Sequence, residues 1–396
     1  MQFLFEEQVL DVNRRELTRA SAPVALEPQV FDLLIYLLRH RDRVVSKDDL
    51  IAGVWGGRVV SESTLTSRIN AARKAVRDTG GEQRLIRTIP RKGFRFVGPV
   101  AENEDPAGPP TTATVEVRQA QQVRFCRTND GINLAVAEIG HGPPLVKVAN
   151  WLTHVEYDWE SPIWRPFLHR LAEHRRLIRY DGRGTGLSDR GAKDISFAAF
   201  ERDLATVVES LTLPRYALFG MSQGASVAIA HAVRHPDRVS KLILSGAYVQ
   251  GRNRRNSAND QEIARAHVAL MRHGWGQENS AFMRAFSSIY LPNGTAEQIK
   301  WYADLQRTTA SADTALRIRA VCDDIDVTAL LPQVRVPTLV LHSRQDSVAP
   351  LDQGRLIAAN VPHAKFVMLD SANHVVLPAE PAWTKLMNEI DTFLSE

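Results

Sequence analysis

The stretch Arg215-Tyr-Ala-Leu-Phe-Gly-Met-Ser-Gln-Gly-Ala-Ser-Val-Ala-Ile-Ala230 decides the reading of the larger part of this chain. It begins as a short apolar strand, breaks at Gly220-Met-Ser-Gln-Gly224, and continues as a helix. A G-x-S-x-G turn between strand and helix holds its serine in a strained conformation with the hydroxyl exposed, and glycines flank it because side chains there would collide. The helix N-terminus beside it offers backbone N–H groups that no intrahelical carbonyl reaches, which suits a developing oxyanion. Ser222 is therefore the candidate nucleophile.

Outward from this turn, strands alternate with helices from about residue 120 onward, the pattern of an α/β fold with a largely parallel sheet. Before the turn come strands Val123–Arg127, Asn133–Ile139 and Leu145–Ala149, helix Pro162–His174, strand Leu177–Tyr180 and helix Phe197–Leu211. After it come strand Lys241–Ser245, strand Thr338–His342, helix Asp352–Ala359, strand Lys365–Leu369 and helix Ala382–Leu394. Residues 247–334 interrupt the alternation with helical, aromatic-bearing sequence. There Trp275, Phe282, Phe286, Tyr290, Trp301 and Tyr302 are candidates either to line an apolar pocket or to pack the inserted helices.

A serine hydroxyl becomes a nucleophile when a base removes its proton, and a third group must orient that base. Asp346 and His374 each follow a strand, so both fall at the carboxyl edge of the parallel sheet, the rim that also carries Ser222. Ser222 is assigned as nucleophile, His374 as general base and Asp346 as its orienting carboxylate. Asp352 or Asp370 as acid, and His342 or His363 as base, are the alternatives.

These motifs, with Arg179-Tyr-Asp-Gly-Arg-Gly-Thr-Gly-Leu-Ser-Asp189, Gln345-Asp-Ser-Val-Ala-Pro350 and Ser371-Ala-Asn-His374, resemble the α/β-hydrolase fold over residues 120–396. The resemblance implies a helical lid at about 247–334. It implies an oxyanion hole made by the backbone N–H of Gln223 and one from the loop after Leu145–Ala149, at Trp151 or Leu152. Many members of the family have His-Gly where this chain has Asn150-Trp151. The Arg183-Gly-Thr-Gly186 turn lacks the lysine of a phosphate-binding loop, and the family uses that turn structurally.

The first hundred residues read differently. Loose apolar alternation over residues 2–26 suggests several short strands. Pro28 opens a helix whose Phe31, Leu34, Ile35 and Leu38 share one face. Ser46 caps a second helix running to about Val54, broken at Trp55-Gly-Gly57, and Ser61 or Ser63 caps a third running to about Asp78. The third helix buries Leu65, Ile69, Ala72 and Val76. Its other face carries Ser67, Asn70 and Lys74, flanked by Thr66 and Arg77, with Arg68 and Arg73 at the edges of the buried stripe and able to reach out. Asparagine pairs with adenine, arginine with guanine, and lysine neutralises phosphate, so this face suits a DNA major groove. Strands Leu85–Ile89 and Gly93–Val97 follow, joined by a tip that carries Arg91 and Lys92.

Leu26-Glu-Pro-Gln-Val-Phe-Asp-Leu-Leu34, Arg43-Val-Val-Ser-Lys-Asp-Asp-Leu50, Val54-Trp-Gly56 and Ile86-Arg-Thr-Ile-Pro-Arg-Lys-Gly-Phe-Arg-Phe96 resemble the OmpR/PhoB-type winged-helix DNA-binding domain, in its CadC/ToxR-like branch. The resemblance implies that residues 61–78 form the recognition helix and that Arg91 and Lys92 tip the wing. The expected organisation is thus a winged helix over 1–100, an acidic then Pro/Thr-rich linker over 101–119 and the α/β-hydrolase domain over 120–396.

Charge supports a polyanionic partner. The chain carries a formal net charge of +4, while residues 61–95 alone hold nine Lys/Arg against three Asp/Glu. The two cysteines, Cys126 and Cys322, make neither a metal spacing nor a disulfide framework, and no signal peptide or membrane span is legible. A cytoplasmic protein without metal or cofactor is expected. Its partners would be double-stranded DNA, a small-molecule ligand or substrate, a second copy of itself and RNA polymerase, with no membrane. The function expected is a one-component transcription regulator whose hydrolase-like domain senses, and is able to cut, a small ester, lactone or other acyl compound. The alternative is an active serine hydrolase with an accessory DNA-binding domain; a pure protein-interaction module fits less well with so complete a set of triad residues.

Overall fold

The computed structural model describes residues 2–12, 15–19, 22–24, 26–55, 62–90, 92–103, 121–255 and 257–396. The chain divides into two compact units, Met1–Val115 and Glu116–Glu396.

In the first unit, β1 (Gln2–Phe5), β2 (Gln8–Asp11), β3 (Glu16–Arg19) and β4 (Ala22–Val24) form an antiparallel meander. Three helices follow, α1 (Pro28–Arg39), α2 (Lys47–Trp55) and α3 (Glu62–Ala75), then the hairpin β5 (Ile86–Ile89) and β6 (Gly93–Phe96), and β7 (Ala101–Asn103). Alternate residues of the meander, Phe3, Phe5, Leu10 and Leu17, pack against Phe31, Leu34 and Leu38 of α1 and Leu65, Ile69 and Ala72 of α3. The α2 start is a capping box: Asp49 N–H donates to Ser46 Oγ at 3.0 Å and Ser46 N–H to Asp49 Oδ2 at 3.1 Å.

Two expectations need correction here. Residues 101–103, expected as linker, form β7 and pair antiparallel with β1, which satisfies the edge of the meander. Helix α3 ends at Ala75, short of Asp78. Arg77 takes the left-handed conformation, φ 53°, that terminates helices, and Asp78 turns its carboxylate onto the amides of Thr79, Arg84, Leu85 and Ile86. Ser61 and Arg91 lie outside the described residues, as do the Gly56-Gly57 break and residues 104–119 of the expected linker.

The second unit holds an eight-stranded sheet: β8 (Gln122–Arg127), β9 (Asn133–Ile139), β10 (Pro144–Lys147), β11 (Arg176–Tyr180), β12 (Tyr216–Met221), β13 (Val239–Ser245), β14 (Thr338–Ser343) and β15 (Lys365–Leu369). Their spatial order is β15-β14-β13-β12-β10-β11-β9-β8. β8 and β9 pair antiparallel and the rest of the sheet is parallel from β11 to β15. The helices α4 (Trp164–Ala172), α5 (Phe197–Ser210), α6 (Gln223–Arg234), α11 (Leu351–Asn360) and α12 (Pro381–Ser395) are the crossovers and C-terminal cover of this sheet. Strands buried on both faces read as continuous apolar runs, and β12 and β14 are buried at every position. Between β13 and β14 the chain leaves the sheet for α7 (Ala258–Gly274), α8 (Ala281–Tyr290), α9 (Ala296–Thr309) and α10 (Ala312–Asp324), each capped by a serine or threonine side chain. No helix among the described residues is long and apolar enough to cross a membrane.

Candidate functional site

Ser222 sits between β12 and α6 with φ 53° and ψ −131°. A non-glycine residue in such a conformation costs about 1–3 kcal/mol and persists only where its surroundings enforce it. The glycines on either side permit the enforcement. A Cβ on Gly220 would lie 2.7 Å from Ala225 Cα, and one on Gly224 would lie 2.8 Å from the Ala149 carbonyl, so helix, strand and the loop after β10 close on one another. The Gln223 amide opens α6, where no intrahelical carbonyl reaches it.

The structure brings His374 and Asp346 together. His374 Nδ1 lies 2.7 Å from Asp346 Oδ2, and Val348 N–H and Ala349 N–H donate to Asp346 Oδ1 at 2.8 and 3.0 Å. Burial pushes the Asp346 carboxyl up, but His374 and these amides outweigh it and hold the group below its ordinary value. His374 Nε2, on the other side of the ring, is buried without a hydrogen-bond partner. Ser222, Asp346 and His374 are all buried, at the carboxyl ends of β12, β14 and β15. Gly246, just after β13, backs the pair: a Cβ there would stand 3.0 Å from His374 Cε1. The His374 loop is itself tied down by Glu380, which accepts from Ser371 Oγ (2.5 Å), Asn373 Nδ2 (2.8 Å) and Leu377 N–H (2.6 Å). Nothing in the local sequence marked Glu380.

The alternative residues lie elsewhere. Asp352 and Asp370 are exposed and face Arg355 and Arg344, His363 is exposed, and His342 is held by the Ala349 carbonyl at 2.8 Å.

Leu152 takes φ 44° in the loop after β10, where Lys147 Nζ donates to Asn150 Oδ1 at 2.6 Å. The Trp151 side chain turns into the lid. Its Nε1 donates to Gln306 Oε1 at 3.3 Å, its ring meets Trp275 edge-on at 6.3 Å, and Phe286 lies against it. Tyr290 packs edge-on to His374 at 5.7 Å and against Tyr302 at 5.4 Å. Trp301 stacks on Tyr157 at 4.7 Å. Phe282 is 47 % exposed, with its ring 6.1 Å from that of His273. A cavity of about 20 Å³ lies behind the elbow between Gln223, Leu152, Thr185 and Ile318, room for a single water. The Arg183 turn is structural: Arg183 is fully buried and forks onto Asp203 (2.9 and 2.6 Å) and Asp130 (2.7 Å).

In the first unit, α3 exposes Thr66, Ser67, Asn70 and Lys74, and Arg77 is exposed in the turn beyond it. Lys92 is exposed at the hairpin tip. Arg68 is half-buried and pairs with Glu27. Arg73 does not reach out: it is buried, with Nε and Nη2 on the Ile86 carbonyl at 3.0 and 2.9 Å and Nη2 on Thr88 Oγ1 at 2.8 Å. It tethers the helix to the hairpin strand, a long-range role that periodicity along one helix does not reveal.

Fold and motifs together define a protein that joins a winged-helix DNA-binding unit to a unit of the α/β-hydrolase class. A family model described as "alpha/beta hydrolase fold" matches residues 158–381, more than half of the chain, and the chain belongs to that family. A second model, "Transcriptional regulatory protein, C terminal", matches residues 21–96. The chain is 25 % identical over 263 residues to the AB hydrolase superfamily protein YisY of Bacillus subtilis, covering 63 % of this chain and 91 % of that one. It is 34 % identical over 115 residues to the transcriptional regulator HilA of Salmonella typhi, covering 29 % of this chain and 20 % of HilA. Among solved structures, an esterase from Exiguobacterium antarcticum superposes with a TM-score of 0.59 at 23 % identity, over 69 % of this chain and all of that one, a likeness of fold. The N-terminal unit is thus a DNA-binding regulator domain and the C-terminal unit a hydrolase-fold domain.

Proposed function

We propose that this protein is a one-component transcription regulator in which the hydrolase-fold unit binds, and cuts slowly, a small ester or lactone whose presence changes DNA binding. The observation that carries the reading is the buried Asp346–His374 pair with Nε2 unpartnered, on the same sheet rim as the strained Ser222, in one chain with a DNA-binding domain. Ser222 Oγ attacks the acyl carbon while His374 Nε2 takes its proton, and Asp346 fixes the imidazole tautomer. The Gln223 N–H and the Leu152 or Trp151 N–H receive the oxyanion. His374 then returns the proton to the leaving alcohol, and water hydrolyses the acyl-serine by the same route.

On the DNA side, Thr66, Ser67, Asn70 and Arg77 read base edges and backbone from the major groove, with Arg68 released from Glu27 on contact. Lys74, Lys92 and Arg91 neutralise phosphate. A homodimer on a two-fold operator, contact with RNA polymerase, and residence in the cytoplasm beside the chromosome belong to the same proposal. The Asp346–His374 geometry equally supports a second reading, a serine hydrolase with an accessory DNA-binding domain.

A fluorophosphonate probe tests the shared chemistry. Labelling of wild type that is lost in Ser222→Ala is expected, and an unlabelled wild type would sink both the nucleophile assignment and the hydrolase reading. Steady-state turnover with acyl esters separates the two readings: the regulator turns over slowly, the hydrolase at rates of order 10 s⁻¹.

A further inference from the structure

Between the lid and the site stands a group of buried cations that this chemistry does not use. Arg252, Arg255 and Arg319 are each less than one-tenth exposed. Two of them are paired. Arg319 donates from Nε and Nη2 to Asp323 at 2.9 and 2.6 Å; burial opposes its charge, and Asp323 outweighs burial and raises the guanidinium's pKa. Arg255 faces Asp260 at 3.7 Å and lies over the Tyr248 ring at 5.5 Å.

Arg252 is different. The carboxylate it faces, Asp323, is 3.6 Å away and already forked by Arg319. The hydrogen bond it donates, from Nη2 to the Val348 carbonyl, is long at 3.3 Å. A guanidinium has five N–H donors; Arg252 places one of them on a long hydrogen bond and shares its carboxylate with a second arginine, so an arriving anion would pair it more closely. Two polar atoms of the α7 and α8 helices, Tyr290 Oη and His267 Nδ1, are buried without a partner among the described residues. Both rings flank Phe286, each at 5.4 Å, and Phe286 lies against Trp151, over which Arg319 sits. Burial pushes the His267 pKa down to about 3, so its ring stays neutral and adds no further positive charge.

The placement is specific. Val348, which accepts from Arg252, is two residues past Asp346 and donates to its carboxylate. Tyr290 packs on His374, and Arg319 lies over the Trp151 ring at 5.7 Å, beside the proposed oxyanion loop. Arg252 therefore borders the Asp346 side of the reacting centre, Tyr290 its histidine, and Arg319 the Trp151 side.

We propose that Arg252, with Tyr290 Oη and His267 of the same buried region, is a binding subsite for a carboxylate, so that the ligand is an ester or lactone bearing a second, ionised carboxyl group. The inference rests on the reading of Ser222 as the place where the acyl group lies, and it deepens that reading by naming the ligand's charge. Three buried guanidiniums face two carboxylates, Asp260 and Asp323, and the difference matches a monoanion.

The test uses the full chain as Ser222→Ala, titrated calorimetrically with monomethyl glutarate, which is anionic, and dimethyl glutarate, its neutral counterpart. The monoanion is expected to bind on the order of tenfold more tightly. Arg252→Gln should erase the preference, Arg252→Lys should keep part of it, and Asp323→Asn, which leaves two arginines uncompensated, should widen it. A structural role for Arg252 would weaken both probes alike. Equal affinity for the two esters, a preference that survives Arg252→Gln, or binding of neither at ~10 mM overturns the subsite. Fluorophosphonate labelling is read separately: an unlabelled wild-type chain overturns the hydrolase reading, while the comparison between the two esters stands on its own.

Discussion

At the scale of single residues, the site depends on groups that never touch the reacting atoms. Gly246 takes φ 52°, and an added Cβ would press on His374 Cε1 at 3.0 Å. Gly246→Ala is expected to lower kcat/KM for an ester by about tenfold, since the contact displaces the ring by a fraction of the ~1 Å that costs a hundredfold. Fluorophosphonate labelling should slow in step while the fold is retained. Glu380 acts on the same histidine from the other side, through Ser371, Asn373 and the Leu377 amide. Glu380→Ala should loosen the His374 loop, lower kcat roughly tenfold or more with little change in KM, and leave the DNA-binding unit's affinity unchanged. Steady-state kinetics beside a DNA titration checks both halves of that expectation.

At the scale of elements, the end of α3 is set by Asp78. Burial pushes its carboxyl up, but four backbone amides outweigh it and hold the group below its ordinary value. A carboxyl with a depressed folded pKa adds stability above its unfolded value, near 4, and loses that contribution as pH falls through the folded value. Asp78→Ala should therefore destabilise the winged-helix unit by at least about 2 kcal/mol near neutrality, and its stability should depend less on pH below 5 than wild type's. Chemical denaturation at a series of pH values decides this. The exposed face of the same helix gives a second expectation. Lys74→Ala should reduce the salt slope of DNA binding by about 1, whereas Asn70→Ala should relax base preference at one operator position.

Much at this scale was legible in the sequence. Buried parallel strands such as Tyr216–Met221 are continuous apolar runs, and capping serines announce helix starts. The sheet rim carrying Ser222, Asp346 and His374 followed from where strands end. What stayed hidden depends on distant partners. Ala101–Asn103 is polar and becomes a strand because β1 offers an edge. Arg73 looks like a surface residue until the Ile86 carbonyl is placed opposite it. Trp151 stands in a loop with no periodicity to place its side chain, and only the folded α7–α10 insertion shows its ring against Trp275 and Phe286. Arg252 and Arg319 carry no motif at all.

At the scale of the whole molecule, the proposal joins the two units through free energy. A ligand at Ser222 alters DNA affinity only if it binds more tightly to one of two states of the chain, and the coupling is then reciprocal. The lid supplies an element able to respond, since Gln306, Trp275 and Tyr290 hold Trp151 and the His374 loop from above. The most direct test is the affinity of the full chain for an operator found by genomic selection, measured before and after complete fluorophosphonate labelling of Ser222, with Ser222→Ala treated identically. At least a fivefold change on labelling is expected, and none in the variant. Equal affinities of the labelled and unlabelled wild-type chains would contradict the coupling.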